Sequence, residues 1–207
     1  MTSPNFRAMA SVAMCHAAAM ASAAPVPTPW PQSFDTVYTL ADEQWQKQGN
    51  ITDTQVVNYD WPSRRMTVLH TNMYGHGPGR DWNLPSGAIV FQSNDTSRPC
   101  CLMFPTWRHG GIVPPDWNQA DNSTYLGQEQ VYSYADGLMV TADKWSQPGY
   151  KCMNYYWEGP DNLPLQWGSS EGGGFFVVRS KFHAGAQDPK LLQAPDACLG
   201  HLPGCTP

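Results

Sequence analysis

Apolar and polar side chains alternate along much of this chain with a period of two, the spacing of a half-buried β-strand. Phe34, Thr36 and Tyr38 alternate within 33–40. Val57, Tyr59 and Trp61 share one face of 52–61, and Met66, Val68 and His70 one face of 65–71. Trp61-Pro62-Ser63 between the latter two runs predicts a strand–turn–strand unit. Further on, 131–134 and 138–140 flank Asp136-Gly137, which predicts a hairpin because glycine tolerates φ > 0 at the turn. Shorter runs at 88–91, 150–157 and 165–167 predict strands. So does 175–182, where Phe176, Val178 and Phe182 fall on one face and Arg179 and Lys181 on the other. The stretch GHGPGRDWNLP (75–85) predicts a loop, and the Pro-rich APVPTPWP (24–31) an extended lead-in outside the core. Helices are few and short, the candidates being 42–47 and 189–193. The tail from Ala184 is expected to lie across the body of an all-β protein.

Composition sharpens this picture. Only 14% of the 207 residues are charged, while Gly (18), Pro (19), Trp (9) and Tyr (9) are plentiful, as expected of many short strands joined by turns. The net charge of −5, with scattered Lys and Arg, offers no basic patch for nucleic acid. Residues 1–23 hold Arg7, an Ala/Met-rich run and Ala21-Ser22-Ala23, the pattern of a secretory signal peptide. A single domain over 24–207 follows, and no later run approaches the roughly 18 apolar residues of a membrane span. Sequons at Asn50, Asn94 and Asn122 agree with export to the cell exterior, or to a lysosome, as a glycoprotein.

Beyond the leader stand Cys100, Cys101, Cys152, Cys198 and Cys205. Adjacent cysteines seldom bond each other, so Cys100 and Cys101 each call for a distant partner. One of them joined to Cys198 would tie the tail to the middle of the chain. The odd number leaves one thiol free or intermolecular, and the spacing is not that of a zinc site. His109-Gly110-Gly111 is the kind of loop that forms an oxyanion hole in some esterases, yet no Gly-x-Ser-x-Gly elbow accompanies it and the helices of such an enzyme are missing. The histidines stand singly. Asp35, Asp42, Asp53, Asp60, Asp136 and Asp143 lie in or beside expected turns, where binding to their own backbone explains them better than calcium does. These features describe a protein that is not an enzyme.

The aromatic load is the remaining clue. Trp145, Tyr155, Trp157 and Trp167 could line a concavity, as apolar ligand sites often are lined, or could simply pack. The candidate ligand face comprises Leu138, Val140, Tyr155, Trp157, Phe176 and Val178, with Trp145 beside it.

Several segments, in order, resemble the ependymin-related family. They are Tyr59-Asp60 before Arg65-Met66, then Cys100 or Cys101, Val113-Pro114, Tyr125-Leu126-Gly127 and Gly137-Leu138-Met139-Val140. Lys144-Trp145, Asn162-Leu163-Pro164, Phe182 with Gly185, Asp188-Pro189, and Pro195 with Cys198 continue the series. The chain departs from the family in lacking a cysteine in PVPTPWPQSF and in carrying Asn162 at its usual partner position. The resemblance implies two stacked antiparallel sheets, a half-barrel like that of bacterial lipoprotein carriers with an apolar pocket. It also implies a lipid-like ligand, calcium, cell–matrix adhesion and homodimers, although no calcium ligand carries over by residue. The expectation is thus a secreted, ependymin-like glycoprotein that binds a hydrophobic molecule. The alternatives are a structural matrix glycoprotein without a ligand and a carbohydrate-binding module with an aromatic platform.

Overall fold

A computed structural model describes residues 24–41, 53–72, 77–95, 100–105, 112–119, 122–133, 137–148, 152–170 and 174–205. The leader at 1–23, the acceptor Asn50, the helix expected at 42–47, Asp42, His76, His109-Gly110-Gly111 and Asp136 lie outside these residues. Among the described residues twelve strands form one continuous antiparallel sheet that is not closed. In chain order they are β1 (Ser33–Ala41), β2 (Asp53–Asp60), β3 (Arg65–His70), β4 (Gly79–Asn83), β5 (Ile89–Ser93) and β6 (Cys101–Phe104). Then follow β7 (Thr124–Ser133), β8 (Leu138–Pro148), β9 (Met153–Glu158), β10 (Pro164–Ser169), β11 (Gly174–Val177) and β12 (His183–Ala184). Across the sheet the order is β6-β5-β4-β3-β2-β1-β11-β10-β9-β8-β7, with β12 pairing β1. The all-β architecture expected from the alternation is therefore present, with two meanders joined through β1 and β11.

The alternation is realised across strands. Tyr59 stands opposite Phe34, Val57 opposite Thr36 and opposite Val68, and Tyr38 opposite Val177, so these side chains share one face. On β8 and β9 the same face carries Trp145 opposite Tyr156. This aromatic face is covered by the chain's own lead-in. Trp30 is buried and packs edge-on to Phe34, Tyr59 and Trp117, at ring separations of 5.7, 6.3 and 5.5 Å. It also meets Tyr156 at 6.5 Å, so one side chain spans from β1 to β9. The lead-in therefore belongs to the core, contrary to the sequence expectation, because its tryptophan outweighs its prolines. Its backbone is fixed as well. Trp30 N–H donates to Pro115 O (2.8 Å), Gln119 Nε2 to Pro27 O (2.7 Å) and Asn118 Nδ2 to Thr28 O (3.1 Å).

Two departures have local causes. The expected loop at 75–85 contains β4. Gly79 sits beneath Phe91 of β5, where a Cβ would lie 2.4 Å from Cζ, so only glycine lets the strands approach. The expected strand at 175–182 breaks after Val177 into a 3₁₀ turn at Arg179–Lys181 and then β12. That break moves Phe182 onto the aromatic face, where it stacks on Phe34 at 4.9 Å, while Phe176 stands opposite Thr39 and Gln166 on the other face. Phe176 and Phe182 thus do not share a face.

The tail crosses the opposite face. Asp188 accepts from Lys190 N–H (2.9 Å) and caps a single helical turn, α1 (Pro189–Leu192), as the sequence expected at 189–193. Ala194 and Cys198 then pack against Trp82 and Val90. Disulfides join Cys100 to Cys198 and Cys101 to Cys205, leaving Cys152 as the free thiol among the described residues. Closures of 98 and 104 residues each restrict the unfolded chain by about 4–5 kcal/mol in the chain-entropy model.

Two outcomes are expected for stability. Trp30→Ala should lower the unfolding free energy by about 3–5 kcal/mol, seen as a reduced urea midpoint in equilibrium denaturation. Cys198→Ala with Cys100→Ala should lower it by about 4 kcal/mol, with loss of the tail's protection in hydrogen exchange and retention of protection in β1 and β2.

Candidate functional site

The sheet register sorts the ligand face expected from sequence. Val140 stands opposite Val131, and Trp157 opposite Lys144 and Gln166. Leu138, Val140, Tyr155, Trp157 and Phe176 thereby occupy the face opposite the lead-in, whereas Trp145 lies on the aromatic face within the core. Val178 leaves the sheet and donates its N–H to Val37 O at 2.8 Å. Val140, Tyr155 and Trp157 do come together, packed on Val131, Ala142 and Leu165. Lys144 Nζ lies over them, 4.7 Å from the Trp157 ring and 5.1 Å from that of Tyr155. Glu129 accepts from Trp157 Nε1 and pairs with Lys144 at 3.2 Å. These residues form a filled patch at the β7 side of the sheet, with Leu138 exposed beyond it.

A buried polar network, not foreseen from sequence, lies where β2, β3 and β4 meet. His70 Nδ1 is 2.8 Å from Asp53 Oδ2, and Nε2 is 3.0 Å from Asp81 Oδ2. Asp53 also accepts from Thr71 N–H and Oγ1 (both 2.9 Å), Asn72 N–H (2.8 Å) and Gln55 Nε2 (3.0 Å). Burial works against the charge of His70, yet the two carboxylates raise its pKa to about 9. Burial opposes charge on Asp53 too, but its many donors hold it below the usual range, whereas burial dominates at Asp81 and pushes it up. The network ties three strands together by charge. His70 in an inward position after Met66 and Val68 was the signal, since a histidine there must find partners.

Among the described residues a cleft lies between the β2–β3 hairpin and the tail. Its volume is about 610 Å³, within the range of small-molecule sites. Asp60, Ser63 and Arg65 line it from the hairpin, Leu84, Pro85 and Ser86 from the β4–β5 turn, and Gln187, Pro189, Leu192, Gln193, Ala194 and Leu199 from the tail. The hairpin is sharpened by Arg64 in a left-handed conformation (φ 56°), its guanidinium 3.2 Å from the centre of the Trp61 ring. Ser33 Oγ and Ser63 N–H donate to the two oxygens of Asp60. Burial disfavours its charge, but these donors keep its carboxyl below the usual range. Arg65 Nη1 makes one long bond, 3.4 Å, to Leu192 O. In the sequence Asp60 stands as a turn former and as part of the Tyr59-Asp60 resemblance, not as a cleft residue, and the tail's share of the lining depends on a crossing that local pattern does not specify.

Of the sequon asparagines, Asn94 and Asn122 are exposed. Among the described residues no group of three His, Cys, Asp or Glu side chains is arranged to hold a metal ion, and no helix is long and apolar enough to cross a membrane.

An open antiparallel sheet, stapled by disulfides and bearing a mixed polar and apolar cleft, defines the class of protein. The chain belongs to the family described as Domain of unknown function (DUF8395), whose family model matches residues 29–198. No curated protein matches the sequence. Solved structures with a similar chain path include an uncharacterized conserved protein from Thermus thermophilus, 12% identical with a TM-score of 0.49, covering 81% of this chain and 88% of that one. Another is the MucA/MucB complex of Pseudomonas aeruginosa, 15% identical with a TM-score of 0.42, covering 80% of this chain and 56% of that one.

The His70 network makes stability depend on pH. A histidine whose pKa is raised on folding stabilises the fold fully below its ordinary value of 6.5, and the contribution is lost as pH rises through about 9. Unfolding free energy should therefore fall between pH 7 and 9.5 by on the order of 2–3 kcal/mol. His70→Asn should remove that slope in urea titrations.

Proposed function

We propose that this protein is a non-enzymatic, ependymin-like extracellular binding protein that holds a hydrophobic, lipid-like molecule in the cleft beneath its tail. The observation that carries this reading is the 610 Å³ cleft itself, with Leu84, Leu192 and Leu199 on its walls and Asp60 and Arg65 at one side. Its volume suits a ligand of small-molecule size. The two disulfides hold the far wall in place, so ordering the site consumes little binding energy. Neither His nor Cys accompanies the serines of the lining, which favours binding over acyl-transfer chemistry. The implied calcium, adhesion and homodimer roles would be added to this binding and are not required by it.

Native mass spectrometry of the secreted protein, followed by organic extraction, tests the reading. Co-purifying lipid mass released on denaturation is expected. Ser86→Trp, at an exposed position on the cleft rim, should lower uptake of a fluorescent fatty acid at least about tenfold by filling the site. A bare protein that takes up no added amphiphile would defeat the proposal. One observation favours a second reading, a structural glycoprotein linked between chains: the free, half-buried Cys152. A disulfide-linked dimer on non-reducing electrophoresis, abolished by Cys152→Ser, would favour it.

A further inference from the structure

The cleft holds two opposite charges that do not neutralise each other. Asp60 and Arg65 are directly opposite in the β2–β3 register, and both are half-buried. Adjacent side chains of this kind usually pair across strands. Here they are drawn apart. Ser33 and Ser63 hold the carboxylate toward the hairpin, while the guanidinium reaches toward Leu192 O on the tail. No ion pair joins them, and Arg65 forms none with any other described residue. The neighbouring Arg64 lies over Trp61 instead.

Each charge keeps unused capacity. A guanidinium carries five N–H donors and a carboxylate about four acceptor sites; Arg65 commits one donor, at 3.4 Å, and Asp60 accepts from Ser33 Oγ and from the N–H and side chain of Ser63. Leu84, Leu192 and Leu199 supply apolar wall beside them. A purely anionic head would meet Arg65 but be repelled by Asp60, and a purely cationic head would suffer the reverse.

Resting on the cleft reading above, we propose that the ligand is an amphiphile with a dipolar head. Its cationic part lies against Asp60, its anionic part against Arg65, and its tail along the leucine wall. The preformed separation of the two charges selects a head in which both signs are present. The contact at Arg65 is a charge-assisted hydrogen bond and that at Asp60 a close contact of opposite charges, both within a partly desolvated cleft.

Isothermal titration of the full secreted protein with three probes of one chain length tests this, all below their micellar concentrations. The probes are decylphosphocholine, decyl phosphate and decyltrimethylammonium. The zwitterion should bind about tenfold more tightly than either singly charged probe, the scale of one partly desolvated charged contact. Arg65→Gln should weaken decylphosphocholine about tenfold and shift preference toward the cationic probe. Asp60→Asn should shift it toward the anionic one, and Arg65→Lys should restore part of the loss. A reversal of head preference cannot arise from partial unfolding, and thermal melts of both variants check the fold. Wild-type affinities within about twofold of one another, or a preference that neither substitution moves, would overturn the dipolar head and leave the cleft reading standing. Failure of all three probes to bind would overturn both.

Discussion

Burial of Trp30 is the contact on which the rest of the structure depends. An open sheet this wide must cover its apolar faces, and β1 and β9 are separated in the sheet by β11 and β10. A single indole touching Phe34, Tyr59, Trp117 and Tyr156 joins the two meanders on one side. Such edge-on aromatic pairs contribute about 0.5–1.5 kcal/mol each beyond the area they bury. The lead-in is anchored at its other end too, since Thr28 N–H and Oγ1 donate to the two oxygens of Glu158 at 2.9 and 3.1 Å. Glu158 is largely buried, and burial outweighs those donors to raise its pKa.

That arrangement divides labour between the two faces. The aromatic face, where Trp145 resides, is occupied by residues 24–31 and Trp117–Gln119. The opposite face receives the tail, which leaves an open cleft where α1 stands off the β2–β3 hairpin. Aromatic abundance therefore serves chiefly to close one layer of the protein. The accessible surface of the cleft is built from leucines, prolines and a few polar groups instead. The cation over Tyr155 and Trp157 likewise belongs to a compact patch in which Glu129 compensates Lys144.

Much of the fold could be read from residue order. Alternation at Phe34-Thr36-Tyr38, Val57-Tyr59 and Met66-Val68-His70 marked the inward positions of β1, β2 and β3 correctly, because period-two patterning reports a face that must be buried. The β7–β8 hairpin was legible at Gly137, which has φ 65°, but not in length. Glu129, Gln130 and Asp143 are strand residues only because neighbouring strands pair with them. β4 was hidden since its strand-forming cause, Gly79 under Phe91, is a contact between distant residues. For the same reason the sequence showed Asp60, Arg65 and Leu192 separately but not their meeting at one cleft. It did indicate that the adjacent cysteines would each have a remote partner, with Cys198 as one candidate, but it left the pairing open.

Those adjacent cysteines have a consequence for the order of events during synthesis. Cys100 faces the buried tail beside Trp82 and Val90, while Cys101 stands opposite Phe91 on the other face of the strand. Their partners are 98 and 104 residues downstream. Neither bond can close until Cys198 and Cys205 have emerged, so the β6 edge of the sheet is secured later than the strands that precede it. Until then two neighbouring thiols wait alongside Cys152, which forms no disulfide among the described residues. Closing both bonds in these pairs therefore requires an oxidant and thiol–disulfide exchange that can correct a wrong first pairing. Gly204 and Cys205, lying against Leu102 and Cys101 at the margin of the sheet, act as the clasp that secures it.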